Sequence, residues 1–278
     1  MTIPKAMLNS EANPLSANPS DRAVIVFTDL DGTLLDHNGY SLEAAKPALT
    51  ALGEKNIKVV PTTSKTLAEL DALMPVLGLS GGAIGENGAV IRFDDGEIDC
   101  VLSRPEIAMC LARLPDKIRA AMQCFCDMTT DEIAALTGLD SQSAAQAGAR
   151  EASEPFLWHG APSALTELQQ ALAADDLQVT QGGRFFHIVP LRDKAAAMNE
   201  FLARLLPLSE QRPEIWALGD GPNDVAMLLA ADRAALIANR HLDTQSLLPP
   251  NHNLHVTARE GAAGWRDAIA VLLGQDFG

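Results

Sequence analysis

Two short apolar runs, far apart in the chain, each end in a turn that contains aspartate. The first run, residues 23–27, is rich in β-branched side chains and stops just before Asp29. The second, residues 214–218, leads directly into Gly219 and Asp220. Continuous apolar runs of this length are typical of strands buried on both faces of a parallel sheet. Because both faces of such a sheet must be covered, the pattern predicts an α/β fold.

Helical patterns alternate with these strands. A further strand is predicted over 57–60, and helices are predicted over 41–55, 67–77, 193–206 and 223–231. Strand–helix–strand order implies right-handed crossovers between parallel strands. We therefore predict a doubly wound, Rossmann-like parallel-sheet core.

The pattern changes in the middle of the chain, where short alternating strands are mixed with alanine-rich helices. We interpret residues 89–190 as an inserted α+β cap domain. The catalytic core then consists of 23–88 and 191–278, and residues 1–22, polar and rich in Asn, Pro and Ser, are expected to be a disordered tail. An insertion of this size lies within the normal range for a domain.

Composition excludes several classes of protein. Of the 278 residues, 36 are acidic and 21 are basic, which gives a formal net charge of −15. This acidity disfavours binding to nucleic acid or to an anionic membrane, although a small anion can bind where a cation reverses the local field. The 47% content of hydrophobic residues excludes an intrinsically disordered protein.

The four cysteines do not form a disulfide framework at this length. Cys124 and Cys126 lack a matching second ligand pair for a zinc ribbon, so we interpret all four as ordinary thiols of a reduced compartment. No apolar stretch approaches the ~18 residues that a membrane span needs. The expectation is a cytoplasmic protein, as monomer or homodimer.

Asp29 and Asp31 follow the first predicted strand, where α/β proteins bind their ligands. A carboxylate at this position can attack phosphorus and form an aspartyl-phosphate. A second carboxylate two residues later can donate a proton to the leaving oxygen and later accept one from water. An isolated Asp-x-Asp pair is more often a simple turn, so the pair needs support from other segments.

Three other segments supply that support. Thr63 and Ser64 follow the second strand and can bind a phosphate, although they are also ordinary helix-capping residues. Lys194 begins a helix and can hold a phosphoryl group, although most lone lysines at helix starts are solvated. The loop from Gly219 to Asp224 adds carboxylates that would repel the first pair unless a cation lies among them, and Mg²⁺ is the natural candidate.

The inserted domain carries the candidates for substrate recognition. Gln181, Gly183 and Arg184 belong to a glycine turn whose guanidinium can grip a carboxylate, or which is simply a tight turn. Glu86 and Asn87 lie at the entrance to the insertion and can bind sugar hydroxyls, or form a turn. The same pocket is within reach of Arg150, whose alternative is an ion pair with Glu154, and His187 is expected to pack rather than bind.

In their order along the chain, these segments resemble the four motifs of the haloacid dehalogenase superfamily. The motifs are Asp29-Leu30-Asp31-Gly32-Thr33, Thr63-Ser64-Lys65, Lys194, and Gly219-Asp220-Gly221-Pro222-Asn223-Asp224. The insertion resembles the type C2 cap of the sugar-phosphatase branch. Within that branch, Thr63-Ser64-Lys65-Thr66, Gly85-Glu86-Asn87-Gly88-Ala89 and Gln181-Gly182-Gly183-Arg184-Phe185 are similar to the mannosyl-3-phosphoglycerate phosphatases.

The resemblance implies specific roles. Asp29 would be the nucleophile and Asp31 the general acid and base, while Thr63 and Lys194 would bind the phosphoryl group. Mg²⁺ would be held by Asp29, the backbone carbonyl of Asp31 and Asp220, and Asn223 or Asp224 would support its water shell. Ala152 departs from the family, which we expect to have an aromatic residue at that position, and this affects the fit to the sugar.

The implied activity is hydrolysis of mannosyl-3-phosphoglycerate to mannosylglycerate, a compatible solute, and phosphate. Three alternatives remain open at the level of sequence. The substrate can be the glucosyl analogue or another sugar phosphate, the enzyme can be a phosphomutase that uses the same phosphoenzyme, or the protein can be a non-catalytic sensor of sugar phosphates. Release of inorganic phosphate distinguishes the hydrolase from the mutase, and the intact Asp29, Asp31, Lys194 and Asp220 argue against the sensor.

Overall fold

The computed structural model describes residues 22–37, 39–182, 185–206, 211–242 and 254–277. Its strands are β1 (Val24–Thr28), β2 (Lys58–Pro61), β3 (Ala83–Gly85), β4 (Val90–Arg92), β5 (Ile98–Cys100), β6 (Met122–Cys124), β7 (Glu154–Trp158), β8 (Leu177–Gly182), β9 (Phe185–Pro190), β10 (Glu214–Gly219), β11 (Arg233–Ala238) and β12 (Leu254–Glu260). Its helices are α1 (Lys46–Glu54), α2 (Leu67–Leu77), α3 (Arg104–Leu111), α4 (Asp116–Arg119), α5 (Thr130–Thr137), α6 (Ser141–Gly148), α7 (Pro162–Ala173), α8 (Lys194–Leu205), α9 (Val225–Ala230) and α10 (Gly261–Leu273). Short 3-10 turns cover Glu43–Ala45, Glu86–Gly88, Phe125–Asp127 and Pro222–Asp224.

The core is a parallel sheet with the strand order β12-β11-β10-β1-β2. All five residues of β1 and all six of β10 are buried, as expected for central strands covered on both faces. Two apolar clusters lie on the two sides of the sheet, one around Trp216 and Trp265 and the other around Phe27 and Phe201. The predicted α/β fold with a parallel-sheet core is confirmed.

Helix α2 shows how local sequence sets an element that positions the site. Its first turn is closed by a capping box in which Thr66 and Glu69 bond each other's backbone N–H groups. Its end is closed by Gly78 in the left-handed conformation, with φ of 67°. The helix therefore begins directly after Lys65, and this fixes the loop between β2 and α2.

A small antiparallel sheet, β3-β4-β5, extends the core beyond β2. Thr62 forms an isolated parallel bridge with Ile84, so β3 continues the order of the parallel strands. Val90, Ile91 and Phe93 are buried in the two clusters that cover the parallel sheet. The sequence-based boundary of the cap at residue 89 therefore cuts through the core, and we move it to about residue 101, after β5.

The inserted segment has a core of its own. Its antiparallel sheet has the order β6-β7-β9-β8 and packs with α3 and α7 around Ile107, Phe156 and Ile188. A smaller cluster around Phe125 and Ile133 covers the end of this sheet. Among the described residues of this segment, only Ala152 is a buried member of a parallel-sheet cluster, so we treat the segment as a separate α+β cap.

Arg192 joins the two chain segments that connect core and cap. Its buried guanidinium donates hydrogen bonds to the backbone carbonyls of Gly88 and Ala89, and it forms ion pairs with Asp99 and Glu200. The entry and exit segments of the cap are thereby held side by side. Within the described part of the chain, no helix has the length and apolar character of a membrane span.

Candidate active site

The ends of two neighbouring strands bring three carboxyl groups together. Strands β1 and β10 pair in parallel with Thr28 opposite Leu218, so Asp29 and Asp220 emerge at the same edge of the sheet. The backbone N–H of Asp29 donates to the carbonyl of Leu218 at 2.9 Å. Carboxylate oxygens of Asp29, Asp220 and Asp224 all lie within 4.8 Å of one another. Residues almost two hundred positions apart in sequence therefore share one buried cluster.

Lys194 places a cation in this cluster. Its ammonium Nζ donates to Asp29 Oδ1 at 2.8 Å and to Asp224 Oδ1 at 2.7 Å, and the residue is only 1% exposed. Asp193, just before it, caps α8 by accepting a hydrogen bond from the N–H of Ala196. Burial by itself lowers the pKa of Lys194, but the two carboxylates outweigh it and the pKa is raised. The side chain is a fixed positive charge.

The crowded carboxylates are incompletely neutralised by this single ammonium. The pKa of Asp29 is raised well above its ordinary value, mainly by burial and also by the charges of Asp224 and Asp220, with Lys194 acting in the opposite direction. The pKa of Asp220 is also raised, by burial and by Asp224. A further cation among these groups would relieve the repulsion.

Asp220 is held by Thr33, the last residue of the first motif, and by two residues outside the motifs, His37 and Asn239. Thr33 Oγ1 donates to Oδ1 at 2.8 Å, Asn239 Nδ2 donates to Oδ2 at 2.7 Å, and His37 Nε2 lies 3.3 Å from Oδ2. Asn239 directly follows β11, the neighbour of β10, so the rule that strand ends share an edge applies to it as well.

Asp224 has both carboxylate oxygens engaged by the protein. Besides the bond to Lys194, its Oδ2 accepts the backbone N–H groups of Asp220 and Gly221 at 3.0 and 2.9 Å. Asp224 thus braces Lys194 and the loop, and its predicted support of the Mg²⁺ water shell stays a prediction. Asn223, the other predicted member of that shell, donates to Asn87 Oδ1 at 3.1 Å.

The remaining oxygen donors fit Mg²⁺. They are the carboxylates of Asp29 and Asp220, and hard oxygen ligands of this kind are what Mg²⁺ binds, with water and phosphate completing the set. The backbone carbonyl of Asp31, which the family resemblance adds to this set, stays a prediction. Gly32 has a φ of +80°, and a Cβ atom there would lie 2.7 Å from Asp220 Oδ2. Glycine is therefore required where the loop passes over the carboxylates.

Asp31 presents one engaged and one unpartnered oxygen. Its Oδ2 is 2.9 Å from Lys65 Nζ, which is also 3.9 Å from Glu69 and lies over the ring of Tyr40. Its Oδ1 is buried and has no hydrogen-bond partner in the described ranges. A buried carboxylate oxygen with no partner is costly, so such an atom suits a proton transfer with a bound molecule.

Thr63 and Ser64 form the loop between β2 and α2. Thr63 is fully buried, its carbonyl accepts the N–H of Asn87 at 2.8 Å, and its Oγ1 accepts the N–H of Lys65 at 3.3 Å. Ser64 faces a cavity that also contains Lys194. The loop is therefore beside the buried cluster, at the same edge of the sheet.

A cavity of about 440 Å³ lies between this loop and the cap. From the core it is lined by Ser64, Asn87, Asp193, Lys194 and Asn223, and from the cap by Gln178, Thr180, Gln181, His187 and Val189. Thr180 and His187 are directly opposite each other on β8 and β9, and Gln178 is opposite Val189. One face of the cap sheet thus forms a mostly polar wall above Lys194.

This wall revises the interpretation of His187, which we expected to pack in the cap. Alternation along β9 directs it to the same face as Val189, and that face lines the cavity. Strand alternation predicts that Gln178 and Thr180 share one face of β8, and that His187 and Val189 share one face of β9. The β8–β9 register then places both pairs on the same face of the sheet.

Glu86 does not face a ligand. Its carboxylate is 1% exposed and accepts hydrogen bonds from the N–H groups of Glu151 and Ala152 and from the hydroxyl of Ser153. The predicted contact of Glu86 with sugar hydroxyls is therefore wrong, because the cap backbone uses both oxygens. Glu86 is a link between core and cap.

Arg150 also links core and cap. Its guanidinium donates to the carbonyl of Ala147 at 3.0 Å and to that of Ser64 at 2.9 Å. Glu154, its alternative partner, pairs instead with Arg104. Of the predicted cap turn, Gln181 lines the cavity, whereas Gly183 and Arg184 lie outside the described residues.

His187 gives a test of this arrangement that depends on pH. Burial, assisted by the nearby Arg150 charge, lowers the pKa of His187 to about 4. Since the unfolded chain binds the proton at a pKa of about 6.5, folding stability from this residue falls as the pH is lowered from about 6.5 to 4. The wild type should lose more stability over this interval than His187→Gln, measured by urea unfolding at several pH values. Identical slopes for the two proteins would contradict the burial of a neutral imidazole.

Part of the chain matches a known protein family. Residues 26–131 match the family model of haloacid dehalogenase-like hydrolases. The matched region includes Asp29, Asp31 and Thr63. Over this segment the chain is similar to haloacid dehalogenase-like hydrolases.

Solved structures with the same fold cover nearly the whole chain. The sucrose-phosphatase of Synechocystis, solved with sucrose and phosphate, has a TM-score of 0.64 at 16% identity, over 90% of this chain and 98% of its own. A Bacteroides thetaiotaomicron protein analysed among phosphatases of the haloalkanoate dehalogenase superfamily has a TM-score of 0.62 at 18% identity, over 96% and 100%. A Thermoplasma acidophilum protein has a TM-score of 0.66 at 20% identity, over 88% and 96%. At these identities the likeness shows a shared fold, and its coverage extends over both the core and the cap.

Proposed function

We propose that the protein is a Mg²⁺-dependent phosphatase that hydrolyses mannosyl-3-phosphoglycerate to mannosylglycerate and phosphate, in the cytoplasm, through an aspartyl-phosphate on Asp29. The observation that carries the proposal is the contact of Asp29 with the buried ammonium of Lys194, beside a cavity under the cap. Around it, Asp31 has an unpartnered oxygen and Asp220 completes a carboxylate pair suited to Mg²⁺.

In the first step, an oxygen of Asp29 attacks phosphorus and the bond to the leaving oxygen breaks. Lys194 fixes Asp29 through Oδ1 and supplies positive charge beside the phosphoryl oxygens, and Thr63 and Ser64 bind those oxygens from the neighbouring loop. Asp31 donates its proton to the leaving oxygen. Asp29, Asp220 and the carbonyl of Asp31 would hold Mg²⁺, which would supply electrostatic compensation for bringing a carboxylate and a phosphate together.

In the second step, Asp31 removes a proton from a water molecule that attacks the phosphorus of the aspartyl-phosphate. Asp29 is regenerated and inorganic phosphate is released. The same residue thus serves as acid and then as base, so its unpartnered Oδ1 is required in both steps. Lys65 keeps the other oxygen of Asp31 in place.

The substrate assignment rests on the cavity wall as well as on the sequence resemblance. Gln178, Thr180 and a neutral His187 offer hydrogen-bond donors and acceptors without formal charge, as a sugar with several hydroxyls requires. Gln181 lines the cavity, and we assign recognition of the glycerate carboxylate to Arg184, three residues later in the sequence. A structural neighbour is a sucrose-phosphatase, which supports a sugar phosphate as the substrate class.

The direct test is release of inorganic phosphate in the presence of Mg²⁺ from a panel of esters. The panel contains mannosyl-3-phosphoglycerate, glucosyl-3-phosphoglycerate, 3-phosphoglycerate and hexose phosphates. We expect the highest kcat/KM for the mannosyl compound. A preference for the glucosyl compound would change the substrate assignment alone, whereas a product that retains its phosphate at another position would indicate a mutase.

The cavity wall makes a separate prediction about KM. His187→Ala should raise KM for the glycosyl phosphoglycerate about 10-fold, because the loss of one hydrogen bond in a closed pocket costs about 1.4 kcal/mol. KM for acetyl phosphate, which is too small to reach the cap, should stay within twofold. His159→Ala is the matched control, since this histidine lies just after the same sheet, bonded to Gln123 and away from the cavity. Equal effects of the two variants would remove His187 from the binding wall.

A further inference from the structure

A second cluster of possible metal ligands lies in the cap, outside the proposed catalytic site. Cys124 ends β6, Cys126 follows in the 3-10 turn, and Glu154 begins β7. The two Sγ atoms and a carboxylate oxygen of Glu154 all lie within 4.8 Å of one another. Neither thiol is part of a disulfide. Three donor atoms thus converge at the edge where two cap strands meet.

The carboxylate is oriented before any ligand binds. Glu154 Oε1 accepts the backbone N–H of Cys126 at 2.8 Å, and Oε2 accepts Nε of Arg104 at 2.9 Å. The Glu154 side chain is 2% exposed. Hydrogen bonds of this kind orient the carboxylate ligands of protein metal sites, and each oxygen keeps a further lone pair. Cys126 is exposed, so a cation can enter from solvent, while Cys124 is buried behind it.

The donor set selects the chemical class of the cation. Two sulfur atoms and one carboxylate oxygen suit a borderline-soft divalent ion such as Zn²⁺, whereas Mg²⁺ binds oxygen ligands almost exclusively. With both thiols deprotonated, the charges of a divalent ion, two thiolates, Glu154 and Arg104 cancel.

We propose that Cys124, Cys126 and Glu154 form a second metal site, which binds a zinc-class divalent cation with water in the fourth position. The sequence alone suggested ordinary thiols, because no second Cys or His pair follows Cys126 at zinc-ribbon spacing. The missing ligand is a carboxylate from the adjacent strand, which pairs with β6 through Cys124 and Phe156. The bound ion would join β6, the turn and β7, and so stabilise the end of the cap sheet.

Cobalt provides a test that is independent of phosphatase activity. Reduced protein is first saturated with Mg²⁺, so that the aspartate cluster is filled, and is then titrated with Co²⁺. Thiolate coordination produces a ligand-to-metal charge-transfer absorption that oxygen ligands do not produce. We expect this absorption to saturate at one Co²⁺ per chain and to disappear when Zn²⁺ displaces Co²⁺.

Variants then assign the ligands. Cys126→Ser, at an exposed position, should abolish the absorption and weaken Zn²⁺ binding by at least about 10-fold while the circular dichroism spectrum is unchanged. Cys110→Ser and Cys100→Ser are the matched controls and should retain both signals. Zn²⁺ should raise the thermal unfolding temperature of the wild type and not that of Cys126→Ser. Absence of the absorption in the wild type, or its persistence in Cys126→Ser, would overturn the proposal.

Discussion

The Asp29→Asn variant is expected to be folded and to have lost at least about four orders of magnitude in kcat, the size of loss seen when an enzyme loses its nucleophile. An amide oxygen is a poor nucleophile, so the aspartyl-phosphate cannot form. Lys194 keeps Asp224 as its buried counter-ion in this variant, so the loop around Asp220 should remain in place. Activity is measured by phosphate release, and the phosphoenzyme is sought by mass spectrometry of acid-quenched wild type and variant.

Asp71→Asn is the matched control for this substitution. Asp71 is exposed and pairs with Arg92 on the surface, so its amide variant should keep wild-type kcat and form the phosphoenzyme. Residual turnover of Asp29→Asn within tenfold of the wild type would exclude Asp29 as the nucleophile. The same conclusion would follow if the phosphoryl group were found on another residue.

Lys194→Met is expected to reduce both activity and stability. Removal of the Lys194 ammonium leaves Asp29 and Asp224 buried without a cation. Breaking a buried ion pair in this way costs about 3–5 kcal/mol of unfolding free energy. Loss of the charge beside the phosphoryl group should lower kcat by about 10²- to 10³-fold. Urea unfolding at pH 7 without Mg²⁺ measures the first effect, and phosphate release with saturating Mg²⁺ measures the second.

The matched control is Lys46→Met. Lys46 forms an exposed pair with Glu43 at helix spacing, and an exposed pair of this kind contributes at most about 1 kcal/mol. The deficit of Lys194→Met should also be smaller at pH 4 than at pH 7, because protonation removes the uncompensated carboxylate charge. A stability loss no larger than that of Lys46→Met would show that Lys194 does not neutralise the buried cluster.

The meeting of Asp29 and Asp220 could be predicted from sequence because it depends on few long-range facts. Each residue follows an apolar run that reads as a buried parallel strand, and the carboxyl ends of such strands share one edge of the sheet. The start of α2 was equally predictable, since Thr66 and Glu69 form a local capping box. Local residue types are sufficient to predict the start of α2. The proximity of Asp29 and Asp220 needs, in addition, the rule that parallel strands end at the same edge of the sheet.

Glu86 shows where this reasoning fails. The residue lies in a turn at the entrance to the cap, and its sequence context is compatible with an exposed ligand-binding position. Its carboxylate instead accepts hydrogen bonds from the backbone N–H groups of residues 151 and 152 and from the hydroxyl of Ser153, more than sixty residues later. No local pattern encodes which distant segment will pack against a turn. The predicted start of the cap at residue 89 was misplaced for the same reason. Val90 and Ile91 pack in the core clusters, and local sequence does not show which cluster a strand will join.

Sequence by itself determined the α/β class, the parallel core strands and the candidates Asp29, Asp31, Lys194 and Asp220, because strand periodicity, turn chemistry and residue type are local properties. The tertiary structure alone decided that Asp224 braces Lys194, that Glu86 joins core to cap, and that His187 faces a cavity. These roles depend on which hydrogen-bond partners and which face of a sheet come within a few ångströms. That proximity is fixed by packing and strand register across the whole chain.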